Sequence, residues 1–146
     1  MTPPVFEMTV AVQPDDIDGQ NHVNNTVYLR WVQDVATAHW ESLASAETQN
    51  EIGWVVVRHE IDYKTPANLG EEIVLRTWVG EASRLKFERF TEILRKTDRR
   101  VLARACTLWV PIDSKTGKPV RVRAEVRARF SVKPLVSSPP RSTPPA

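Results

Sequence analysis

Three aspartates, three asparagines and a histidine fall within Pro14-Asp15-Asp16-Ile17-Asp18-Gly19-Gln20-Asn21-His22-Val23-Asn24-Asn25-Thr26-Val27-Tyr28, the most unusual stretch of the chain. From Asn25 onward the pattern turns helical, so this polar loop leads into a helix start. Such a start offers unpaired backbone N–H groups and the positive end of the helix dipole. Those donors could bind a developing oxyanion. A carboxylate held just upstream could activate a water or attack a carbonyl directly. A base, an amide-rich loop and N–H donors together are what hydrolysis of an activated acyl group needs. The same residue types also make Asx turns and helix caps, and composition alone leaves that reading open.

The elements that must position this loop can be read from periodicity. Tyr28, Val32, Val35 and His39 recur at helical spacing, and Trp31, Ala36, Trp40 and Leu43 widen that face. Asn24 or Asn25 can cap the helix. Its flanks are apolar on more than one side, so the helix is expected to be wrapped. Around it the chain reads as strands: Val5–Val12, Trp54–Tyr63, Ile73–Val79, Leu85–Leu94 and Val101–Val110. Turns are expected at Gly80–Ser83, Thr97–Arg100 and Asp113–Pro119, and a last strand at Ala128–Val132. Short links between the strands after the helix suggest an antiparallel meander curled around it, an α+β fold. The long edge left open could pair with a second copy, the valine-rich strand Trp54–Tyr63 being the candidate.

Bulk properties narrow the classes. The 146 residues make one domain, 1–133, followed by a Pro/Ser-rich tail, 134–146, expected to be disordered. Lys and Arg number 20 against 18 Asp and Glu, too even a balance to argue for nucleic acid. Cys106 is the sole cysteine, which excludes an intrachain disulfide. The three histidines lack ligand spacing, so no metal site is expected. No stretch approaches the roughly 18 apolar residues that cross a bilayer, and a soluble protein of a reducing cytoplasm is expected.

The order of residues adds more than their types. Asp16 to Tyr28 resembles the D-x-D-x-x-x-H-V-N-N-x-x-Y signature of the 4-hydroxybenzoyl-CoA thioesterase-like and acyl-ACP thioesterase-like hotdog proteins. Asp62-Tyr63-Lys64-Thr65-Pro66-Ala67-Asn68-Leu69-Gly70-Glu71-Glu72 resembles the family's D-Y-x-x-P-A-x-L-G-D-E segment, and Trp109–Pro119 is a looser third match. The resemblance implies a long helix wrapped by a five- or six-stranded antiparallel sheet, assembled as a homodimer or homotetramer with sites between subunits. It implies hydrolysis of an acyl-CoA or acyl-ACP thioester, with no cofactor.

By that resemblance Asp18 is the nucleophile or general base, and the N–H at Asn25 the oxyanion donor. His22 matches a histidine implicated in the plant acyl-ACP branch, and Gln20 stands where that branch has Asn. Asn24, Tyr28, Arg58 and His59 are the candidate substrate-binding residues. Asn24 is equally a helix cap and Tyr28 a packing residue, while Arg58 and His59 either reach a partner's site or face solvent. Arg121, Arg123, Arg127 and Arg129 read as a solvated strand face or as contacts to coenzyme A phosphates or an acidic carrier. Trp31, Trp54 and Trp78 are candidates to line an acyl pocket, or else core. His39 reads as a packed helix histidine. Hydratase chemistry also occurs on the fold, but its D-x-N-P-x-H motif separates Asn and His, which are adjacent here as Asn21 and His22. The dehydratase H-F-P-G motif is absent. A binding domain without catalysis is the third reading.

Overall fold

The computed structural model describes residues 4–83 and 85–131. The tail 134–146 lies outside the described residues.

One long helix, α1 (Asn25–Leu43), packs on one face of a five-stranded antiparallel sheet, as the resemblance implied. The strands are β1 (Val5–Ala11), β2 (Ile52–Tyr63), β3 (Glu72–Ala82), β4 (Phe87–Arg95) and β5 (Val101–Asp113). Two short helices, α2 (Ala46–Glu51) and α3 (Ala124–Phe130), complete the fold. The sheet order is β1-β3-β4-β5-β2. A meander is therefore right for β3 to β5 only. The link 64–71 carries the chain from β2 at one edge to β3 near the other, which a tight hairpin turn could not do. Along the way it crosses the start of α1, where the Ala67 carbonyl accepts the Val23 N–H at 3.0 Å.

Two further expectations are corrected. The segment expected as a last strand, Ala128–Val132, is helical up to Phe130. Val126 and Phe130, four residues apart, share one face of α3 and are both buried, and helical spacing outweighs the local alternation. No turn forms at Gly80–Ala82, because β3 runs on to Ala82 and the reversal is made by Ser83, whose N–H and hydroxyl both bond the Lys86 carbonyl. Helix α2, capped by Ser45 through the Thr48 N–H, was not expected.

A bulge at Val57 explains why β2 reads as an apolar run followed by alternation. The register shifts between Val56 and Arg58, so the inward parity passes from Trp54 and Val56 to His59 and Ile61. The interior divides into two apolar clusters. Val27, Tyr28, Trp31, Val32 and Val35 pack on Ile73, Leu75, Ile93 and Leu102. Farther along α1, Trp40 and Ala44 pack with Ile52, Val79, Phe87, Val126 and Phe130. Between the clusters runs a buried polar band containing His39, Thr77, Arg89, Thr91 and Thr107.

Candidate functional site

The loop before α1 is a small closed structure. Ile17 and Val23 form an isolated bridge, the Asp18 N–H bonds the His22 carbonyl at 2.9 Å, and the Asn21 N–H bonds the Asp18 carbonyl at 3.1 Å. Asn21 occupies the left-handed region, φ 65°, which asparagine tolerates better than most residues. Asp18 Oδ1 accepts the Gln20 N–H at 2.8 Å in an Asx turn. Its other oxygen has no protein partner among the described residues.

The two carboxylates of the D-x-D pair have separate environments. Asp16 is 3% exposed, with Oδ2 accepting the Gln13 N–H at 2.9 Å and Oδ1 paired to Arg30 Nη2 at 3.0 Å. Its own carbonyl takes the Asn24 N–H at 2.8 Å. Asp16 is thus a strut between the 3-10 turn Pro14–Asp16 and α1. Asp18, two residues on, is half-buried and lines an open cleft.

Asn24 is the N-cap of α1. Its Oδ1 accepts the Thr26 N–H at 2.9 Å, and its carbonyl accepts the Val27 N–H at 2.9 Å. That leaves the Asn25 N–H as the first-turn donor without a protein acceptor among the described residues. The second motif clamps this arrangement. The Tyr28 hydroxyl accepts the Ala67 N–H at 2.9 Å, and the Tyr63 hydroxyl donates to the Asn25 carbonyl at 3.3 Å. Burial pushes the Tyr28 phenol above its ordinary pKa.

Asp18, His22, Asn24, Asn25 and Tyr28 all line one cleft of about 480 Å³, completed by Tyr63 and the segment 64–66. Arg58 and His59 lie outside it within the chain. Arg58 pairs with Glu60 at 2.6 Å on the surface of β2. His59 turns inward, its Nδ1 3.1 Å from Thr107 Oγ1, and burial lowers its pKa. Tyr63 belongs to the site although sequence reasoning passed it over, and its place within the second motif was the available signal. Of the tryptophans, Trp31 is core, Trp54 borders a separate cavity beneath α1, and Trp78 stacks on Phe90 across the other sheet face. The basic run is not a strand face: Arg123 pairs with Glu125 at 3.1 Å, and Arg129 in α3 donates to the Leu43 carbonyl at 2.8 Å. No helix among the described residues is long and apolar enough to cross a membrane.

Comparison with known proteins places the chain in a family and a fold. A family model described as the thioesterase-like superfamily matches residues 12–130. The long-chain acyl-CoA thioesterase FadM of Escherichia coli (strain K12) is 26% identical over 130 residues, covering 86% of this chain and 96% of that one. Among solved structures, a thioesterase from Thermus thermophilus complexed with coenzyme A and Zn superposes with a TM-score of 0.75. It is 23% identical and covers 88% of this chain and 98% of that chain. A 1,4-dihydroxy-2-naphthoyl-CoA thioesterase from Synechocystis gives a TM-score of 0.72 at 22% identity, covering 86% and 95%.

Proposed function

The chain belongs to the thioesterase-like superfamily, and from that premise we propose that it hydrolyses the thioester of an acyl-CoA to free acid and thiol. The observation that carries this reading is a half-buried carboxylate with one free oxygen, Asp18, sharing a cleft with the unmatched N–H of Asn25. The acyl carbonyl oxygen takes its developing charge to the Asn25 N–H, reinforced by the dipole of a 19-residue helix. Asp18 either removes a proton from the attacking water or itself adds to the carbonyl carbon, forming an anhydride that water then cleaves. On either route the C–S bond breaks, and the thiolate leaves and takes up a proton. His22, exposed on the same loop, orients water or substrate, and Asn24 and Tyr28 hold the cleft's shape. Coenzyme A is the favoured carrier because the relatives above carry it in their names.

β2 is a sheet edge with Val55 and Val57 exposed, which supports pairing of two copies along it. Such pairing would bring Arg58 toward a partner's cleft.

The experiment is hydrolysis of a panel of aliphatic and aromatic acyl-CoA substrates by wild type and Asp18→Asn. The variant is expected to fold normally, with turnover lower by about a hundredfold or more. Wild-type rates for that variant on a good substrate would refute the assignment of Asp18. Label in the Asp18 carboxylate after single turnover in heavy-oxygen water identifies nucleophilic attack with the anhydride cleaved at its Asp18 carbonyl, whereas label in the product acid alone fits either route.

A further inference from the structure

A second cavity, of about 290 Å³, lies under the far half of α1 and shares no residue with the Asp18 cleft. Its helix residues begin at Ala36, about 17 Å along the axis from Asn25. The walls are aromatic: Trp40 and Trp54 meet edge to face at 5.2 Å between centroids, Trp54 and Phe87 lie 4.7 Å apart, and Trp109 completes the box.

Two of the donors in this box are unmatched. The Trp54 and Trp109 Nε1–H groups are both buried without a hydrogen-bond partner among the described residues. Arg89, also in the lining, is 4% exposed. Its two hydrogen bonds among the described residues leave from Nη1, to His39 Nδ1 at 2.9 Å and to Thr77 Oγ1 at 3.1 Å. Those acceptors are neutral: burial first and the Arg89 charge second pull His39 down to about 4. Among the described residues no carboxylate pairs with Arg89. Glu41 lines the same cavity, but it is exposed and forms no ion pair with it. Burial lowers Arg89 to about 9, so it keeps its charge at neutral pH. A buried cation with no counter-charge is unfavourable, and so is each unmatched indole N–H.

One ligand chemistry satisfies all of these at once. We propose that the cavity is a binding site for a small carboxylate with an aromatic or short aliphatic body. The carboxylate accepts from the free edge of the Arg89 guanidinium and from the Trp54 and Trp109 indoles, and the body fills the aromatic box. Arginine suits this role because its planar fork matches a carboxylate's two oxygens. The cavity volume is near the low end for small-molecule sites, which favours a benzoate-sized or hexanoate-sized occupant. Such a carboxylate has two sources: a free acid, or a second carboxyl at the far end of an acyl group.

Binding is measured first on the wild-type protein, by calorimetry and tryptophan fluorescence, with benzoate and hexanoate against benzamide and hexanamide. The acids are expected to bind and the amides to bind at least about tenfold more weakly, as loss of a charge-assisted hydrogen bond predicts. Arg89→Met, which keeps length and replaces a buried unpaired cation with an apolar chain, should fold and lose about tenfold to a hundredfold in acid affinity. Trp54→Phe and Trp109→Phe keep the walls and should each weaken the acids by several-fold. Equal binding of acid and amide by wild type, no binding of the acids at about 10 mM, or an unchanged preference in folded Arg89→Met overturns the site.

The source is then read from kinetics. Inhibition of an uncharged-chain acyl-CoA by free benzoate, relieved in Arg89→Met, identifies the free acid. A KM increase in Arg89→Met confined to an acyl-CoA with a terminal carboxylate identifies the acyl tail. The direct binding measurements do not depend on the proposed hydrolysis, so either reading can fail without the other.

Discussion

At the N-terminal end of α1, polar side chains sit on an exposed loop and are held by local bonds, Asp18 to Gln20 and Asn24 to Thr26. Beside its C-terminal half, His39 of the helix and Arg89 of β4 are buried next to two unmatched indoles. One helix thus carries two polar sites in opposite states. The first is contiguous in sequence, solvated and able to exchange water with a substrate. The second is assembled from α1, β2, β4 and β5, and it has desolvated its groups before any ligand arrives. Chemistry on a water suits the first, and recognition of a charge suits the second, where a low dielectric strengthens each interaction.

The largest expected effect sharpens the division within the first site itself. Asp18→Asn should remove turnover by about a hundredfold or more while leaving the thermal midpoint unchanged. Asp16→Asn should do the reverse: it loses the charge partner of Arg30, lowering stability by about 1 kcal/mol, with turnover per folded molecule preserved. The modest figure reflects Arg30, whose side chain is half exposed. Turnover lost equally in both variants would mean that the two carboxylates act as one unit, and the contrast drawn from their burial would fail.

The second site is probed by acid. His39 is held at about 4, against an ordinary value near 6.5, so between those values the unfolded chain binds a proton that the folded one does not. Stability tied to neutral His39 is therefore complete above pH 6.5 and is lost as pH falls toward 4. The loss reaches roughly 3 kcal/mol. His39→Gln keeps an acceptor for Arg89 Nη1 and removes the titration. The difference in denaturant-unfolding free energy between wild type and this variant should shift against wild type across that window. A difference independent of pH would show that His39 is not buried as a neutral base.

The same contrast explains what could be read from sequence. Asp16 to Tyr28 was legible because a loop that closes on itself must carry its own turn and cap residues in order: Asp18, Asn21 in the left-handed region, Asn24 at the cap. The helix from Asn25 and the strands β1 to β5 were legible from period alone. The place of β2 beyond β5 was not, because alternation shows which face a strand buries and nothing about its neighbour. Arg89 was invisible for a related reason. It stands in the inward register of β4 between Phe87 and Thr91, and a charged residue within a strand pattern reads as surface unless the facing His39 and Thr77 are known. Phe130 was misread because Val126, its partner on α3, lies four residues away rather than two.

The smallest effect concerns whether Asn24 does more than hold the helix. Its Oδ1 accepts from both the N–H and the hydroxyl of Thr26, and its own N–H is fixed by the Asp16 carbonyl. Asn24→Ala should cost about 1 kcal/mol in unfolding free energy, the usual loss for a cap. It also frees the Thr26 N–H next to that of Asn25, which leaves the oxyanion donors in place but less rigidly directed, so kcat should fall only a few-fold. Asn24→Ser restores a cap acceptor without the amide. If capping is the whole role, Ser recovers both stability and kcat. If the amide also contacts substrate across the cleft, Ser recovers stability while KM stays raised. The separation of those two readouts decides whether the cleft is shaped by the helix start alone or by the side chain that caps it.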